Sequence, residues 1–177
     1  MSSDWLPTPM PGSPTDGGGP VGNVAVSTAD YLWFAELALA EMTRIVGELG
    51  DDLANRQPPL AGANSPYVIL THCLGVMEYW AGATVAGRPI ERDRDAEFIA
   101  RGDVATLCQR AEDARKRLRA DLSGLDPWSI PGSVRPDPAD RVPYSETKGA
   151  VLLHILEELF QHLGQMEITR DVLQAER

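Results

Sequence analysis

The sequence predicts an all-α protein, a four-helix bundle whose helices are joined in part by long crossover links. Three observations point that way. Four segments repeat their apolar residues at a period of about 3.6, and none alternates convincingly at period two. Three of the four open on residues that cap helices, Ser27, Ser65 and Asp103. Two of the links are far longer than a tight helical turn needs, and long links let neighbouring helices of a bundle run in the same direction.

The first helix is expected over residues 28–53. Ser27 followed by Asp30 resembles a capping box, and Leu32, Leu39, Met42, Ile45, Val46 and Leu49 supply an apolar stripe. The second opens at Ser65-Pro66, a cap followed by proline at the first helical position. It continues through Val68, His72, Gly75, Met77, Tyr79 and Trp80 to Ala86, where Gly87-Arg88-Pro89 ends it. The third follows Asp103, with Val104, Leu107, Cys108, Ala111, Leu118 and Leu122 inward and a charged outer side. The fourth is expected from near Ser145 to about Gln174. Between the third and the fourth lie Pro127, Pro131, Pro136, Pro138 and Pro143, the marks of a crossover or a functional loop.

Composition narrows the partners. The 177 residues suit one domain, and 43% apolar with 24% charged residues is ordinary for a globular chain. With 26 acidic against 16 basic side chains the net charge is −10, which argues against nucleic acid and against docking on an anionic membrane. No uninterrupted apolar run reaches the roughly 18 residues of a membrane span. Residues 1–26, with Pro7, Pro9, Pro11, Pro14 and Pro20 among Ser, Thr and Gly, read as a flexible tail, with Trp5 and Leu6 able to pin it to a neighbour; residues 27–177 read as the bundle. The N-terminus lacks the order of a secretory signal, and Cys73 and Cys108 stand alone within helices. Both features fit reduced, packed thiols in the cytoplasm.

The chemistry concentrates on the fourth helix. His154, Glu158 and His162 are spaced at i, i+4 and i+8. Each step of four advances roughly 400° around the axis and about 6 Å along it, so adjacent members are close enough for two of them to share one cation. Their neighbours Val151, Ile155, Leu159 and Leu163 put this side of the helix near the core, where an unpaired carboxylate is expensive. His72 supplies a third direction from the second helix, with Gly75 one turn away leaving room for another helix to approach. Two ligands from one helix and one from another, with positions left open, is the form of a catalytic metal site. A His₂Glu set suits zinc, with nickel and ferrous iron the other divalent candidates. A buried, hydrogen-bonded histidine cluster is the competing reading of the same residues.

His72 together with His154-x-x-x-Glu158-x-x-x-His162-Leu-Gly-Gln resembles the DinB/YfiT-like superfamily. The Glu157-Glu158 pair and the segment Arg92-Asp93-Arg94-Asp95-Ala96-Glu97-Phe98 resemble its actinobacterial branch, which includes mycothiol S-transferases and the metal-binding domain of mycothiol-dependent maleylpyruvate isomerase. The resemblance spans most of the chain outside the tail. It implies a four-helix bundle with a divalent metal held by His72, Glu158 and His162. It also implies a thiol cosubstrate, mycothiol or another low-molecular-weight thiol, transferred to a small electrophile. His154 is then left over as a base, a substrate contact or a buried histidine bonded to a loop, and Gln161 and Gln165 as residues that orient ligands or sit at the surface. A metal-binding bundle without catalysis, acting as a stress-linked or partner-binding protein, and a hydrolase whose cation activates water need the same triad.

Other features carry less. Gly17-Gly18-Gly19-Pro20-Val21-Gly22 fits GxGxxG but follows no strand and contains a proline. Arg115-Lys116-Arg117 with Arg119 reads as a solvated helix face, and Arg92 to Glu97 as either the entrance of the site or a salt-bridged loop. Trp128 in the crossover link reads as a packing residue, with the mouth of the cavity as the alternative place for it. Trp33, Phe34 and Trp80 would make apolar contacts with a second copy of the chain.

Overall fold

The computed structural model describes residues 26–132 and 147–176. Within them lie α1 (Thr28–Ala54), α2 (Pro66–Met77), a π-helical continuation of α2 (Glu78–Val85), a short α3 (Arg94–Phe98), α4 (Val104–Asp121) and α5 (Lys148–Ala175), with no strand among the described residues. The four long helices are those expected from the periodicity. The tail, the motif at residues 17–22, Pro136, Pro138, Pro143 and Ser145 lie outside the described residues.

The caps form as their chemistry requires. Ser27 and Asp30 exchange bonds in a capping box, and Ser65 Oγ and Asp103 Oδ1 accept from Val68 N and Thr106 N. On α5 the cap is Thr147, whose Oγ1 accepts from Ala150 N at 3.1 Å. Two more of the free N–H groups at that end donate to the preceding loop, Lys148 N to Ser129 O and Gly149 N to Pro127 O. Thus the first part of the proline-rich link is bound to the start of the helix it leads to.

Helices α1 and α2 each pack on α4 and on α5 and also touch one another, whereas α4 and α5 make no contact. The cross-section is a flattened rhombus in which α1 and α2 share the short diagonal. Met42, Ile45, Leu70, Leu107, Ile155, Leu159 and Met166 fill its centre, fully buried. Together with its π-helical extension, α2 is long and apolar enough by length and composition alone to cross a membrane, although Thr71, His72, Gly75 and Glu78 interrupt its apolar run. It is instead the core helix, with 78% of its most apolar window buried inside the bundle.

Two aromatic expectations change. Trp80 is 6% exposed and packs edge-on against His154, so it belongs to the core rather than to an outer contact. Trp128 does not pack and is exposed, while Trp33 and Phe34 are exposed as expected.

The π-helical stretch turns around Gly82, where a Cβ would lie 2.3 Å from Arg88 Nη2 and 2.4 Å from Ile90 Cδ1. Arg88 there makes a bidentate pair with Asp121 of α4 and bonds Glu78, tying the link after α2 to two helices. Gly82→Ala should therefore lower the thermal midpoint. Gly47→Ala, on an exposed turn of α1 with nothing within 4 Å, should raise stability by about 0.5–1 kcal/mol. Denaturant melts of the two variants beside wild type test this contrast.

Candidate metal centre

His72 is carried by the buried α2, and Glu158 and His162 by successive turns of α5. Contact between these two helices brings the three together, and one ligand atom from each lies within 4.8 Å of the others. The His72 side chain is 7% exposed, whereas Glu158 and His162 are 24% and 20% exposed. The cluster is closed on the α2 side and open to solvent along α5.

Both imidazoles present Nε2 to one oxygen. His72 Nε2 stands 3.5 Å and His162 Nε2 3.3 Å from Glu158 Oε2. A charge-assisted hydrogen bond would be nearer 2.7–2.9 Å. A tetrahedral cation with ligand bonds of about 2.1 Å spaces its donors about 3.4 Å apart. The other ring nitrogens are engaged: His72 Nδ1 with Glu97 Oε2 at 2.9 Å, and His162 Nδ1 with Gln165 Oε1 at 2.8 Å. Both acceptors call for the proton on Nδ1, which leaves the two neutral Nε2 lone pairs aimed at a carboxylate oxygen. Three donors converging in this way have the composition of a site for a divalent cation, and the same residues also form a hydrogen-bonded cluster when the rings are protonated.

In the metal-free protein the rings take up a second proton and donate from Nε2 to Glu158, and the charges describe that state. Hydrogen bonds with His162 and His72 hold the Glu158 carboxyl well below the usual carboxylate range, against the effect of burial. Burial also works against ionisation of Glu97, but its bonds to Arg92 and His72 prevail and keep it low. For His72 burial disfavours the charged ring, yet Glu158 and Glu97 outweigh it and raise the pKa above 6.5.

Glu97 is the residue that sequence reasoning missed. The segment around it was visible as a salt-bridged loop or an entrance to the site; it is a helix, α3, and Glu97 bonds Arg92 as well as His72. Asp93 followed by Glu97 in an acidic-basic run was the available signal, and it is a weak one. The room left by Gly75 lets the short helix α3 approach α2, and it is filled by the Glu97 carboxylate, whose Oε1 would lie 2.0 Å from a Cβ at that position.

His154 stands one turn back from the triad, buried, with Nε2 3.9 Å from Glu158 Oε1 and Nδ1 3.2 Å from Glu157 Oε2. Its Nδ1 thus has one partner on its own helix. Gln165 orients His162, while Gln161 is exposed. Cys73 is fully buried, which pushes its thiol far up and removes it as a nucleophile.

These shifts set a pH window. The raised His72 pKa contributes stability that is full below pH 6.5 and lost as pH rises through the folded value. The depressed carboxyls contribute stability present above pH 4.5 and lost as pH falls through theirs. For metal-free protein, the stability difference between wild type and His72→Ala should therefore be greatest between pH 4.5 and 6.5, measured by urea melts in chelator. Cation binding should show the opposite trend, weakening as pH falls, with protons released on uptake.

The sequence profile of the DinB superfamily matches residues 35–166, which include all three candidate ligands and His154. Among curated proteins and among solved structures, nothing matches the chain. The profile covers most of the chain, from α1 to beyond the His162 turn of α5, and the helical bundle agrees with it: the chain belongs to the DinB superfamily.

Proposed function

We propose that the chain is a divalent-metal-dependent S-transferase, which joins a low-molecular-weight thiol to a small electrophile. The supporting observation is the half-open donor set: His72 buried at the back, Glu158 and His162 at the solvent side. His72, Glu158 and His162 would hold a divalent cation, zinc before nickel or ferrous iron, which would supply stabilisation of a thiolate over its thiol. His72 and His162 would supply neutral nitrogen donors and Glu158 the single negative charge, so that a divalent ion held there would keep a net positive charge for an anionic sulfur. His154, at ion-pair distance from the second oxygen of Glu158, steadies that carboxylate. Because Cys73 is sealed in the core, the nucleophile is the cosubstrate and not the protein. The thiol gives up its proton to solvent and its sulfur lone pair forms the new bond to the electrophilic carbon; in substitution the bond to the displaced group breaks and its electron pair leaves with that group, and in addition the π pair moves to the far carbon, which takes a proton. Mycothiol is the thiol that resemblance to the mycothiol S-transferase branch points to.

Cobalt(II)-substituted protein provides the test. Adding mycothiol should produce a near-ultraviolet sulfur-to-cobalt band, and a chlorodinitrobenzene acceptor should be converted to the thioether. Glu158→Ala and His162→Ala should each lose bound metal and reduce turnover by at least 100-fold. A cobalt spectrum unmoved by thiol, or ester hydrolysis that proceeds without thiol, overturns the transferase reading. Metal retained undiminished in both variants overturns the site itself.

A further inference from the structure

We infer that Arg92, Glu97 and Phe98 form a clamp that positions His72 as a metal ligand, fixing its proton on Nδ1 and presenting Nε2 to the cation. This rests on the metal-site reading above and assigns roles to residues outside the three ligands.

Glu97 is the centre of the clamp. Its side chain is 9% exposed, and its Oε2 lies 2.9 Å from His72 Nδ1. An ionised carboxylate only accepts hydrogen bonds, so this contact requires Nδ1 to carry the hydrogen and leaves Nε2 with its lone pair. Arg92 holds the carboxylate from behind with two bonds, Nε to Oε1 at 2.7 Å and Nη2 to Oε2 at 2.8 Å. The guanidinium in turn lies over the Tyr79 ring at 5.8 Å. Phe98, the next residue after Glu97, stacks on the His72 ring at 5.2 Å and 30°, restricting its rotation. One helical turn therefore grips the imidazole at its edge and on its face.

The surroundings are built for this placement. Asp93 caps α3 by accepting from Ala96 N at 3.0 Å, fixing the turn that carries Glu97. Gly75 leaves the space the carboxylate occupies, since a Cβ there would meet Glu97 Oε1 at 2.0 Å and Cδ at 2.6 Å. A buried Arg–Glu pair is a weak stabiliser in itself. Here its carboxylate is spent on a histidine whose second nitrogen faces Glu158, the arrangement in which outer partners orient a metal ligand and raise its basicity.

The test combines zinc affinity, from competition with a chromophoric chelator, with long-range ¹H–¹⁵N spectra of the metal-free protein at a pH where the ring is neutral. Wild type should show His72 with its proton on Nδ1. Glu97→Ala should move it to Nε2 and weaken zinc binding by about 10–100-fold. Gly75→Ala, which displaces the carboxylate while leaving its charge in the chain, should weaken zinc binding in the same direction. Glu97→Gln retains an oxygen acceptor and should recover both the Nδ1 proton and most of the affinity, which a merely structural role for Glu97 would not produce. Zinc binding by Glu97→Ala within twofold of wild type, or an unchanged His72 proton position, overturns the clamp. His162→Ala separates the two readings: undiminished zinc binding there overturns the metal site, whereas the His72 proton position still reports on the clamp.

Discussion

Two histidine nitrogens aimed at a single carboxylate oxygen, at the edge of an apolar bundle, are the constraint around which this molecule is arranged. Glu158 is only a quarter exposed, and an ionised carboxylate so placed is costly unless cations or hydrogen-bond donors surround it. His72 comes from the helix with the least access to water, so its own polar atoms must be satisfied from within the protein. Glu97 does this on one side, and the triad on the other. A third layer, Arg92, neutralises Glu97 in turn. Donor and acceptor thus alternate from Arg92 to Glu97 and from His72 Nδ1 back to Glu97, and each step depends on the preceding one.

The rest of the fold serves that alternation. The rhombic packing brings α2 against α5, which sets the triad's spacing, and lets α1 and α4 seal the remaining sides of α2. Where α2 passes into its π-helical extension, it widens around Gly82 to accept the Arg88 guanidinium and the chain that leads back to α3. Arg88 fastens that returning link to Glu78 and Asp121. A link so held delivers Arg92 and α3 to the flank of His72 with little freedom, and a ligand set needs such placement to within fractions of an ångström.

Much of this was legible residue by residue. Ser27 with Asp30, Ser65 with Pro66, and Asp103 announced three helix starts because capping is local chemistry, decided within one turn. The stripe Leu39, Met42, Ile45, Val46 and Leu49 announced the buried face of α1 because periodicity needs no knowledge of the partner helix. His154, Glu158 and His162 were conspicuous because one helix fixes their spacing. Trp80 was misplaced for the opposite reason: a large aromatic residue fits an interface or a core equally well, and only the neighbouring His154 decides between them.

The sequence by itself determined the helical elements, their inward faces and the residue types able to hold a cation, because each follows from interactions within a few residues along one helix. Only the tertiary structure decided that His72 meets Glu158 and His162 while His154 stands aside, and that Glu97 reaches across 25 positions in the chain to His72. The physical reason is range. A hydrogen bond or a shared cation depends on distances of a few ångströms between helices, and those are set by packing over the whole bundle rather than by any local pattern.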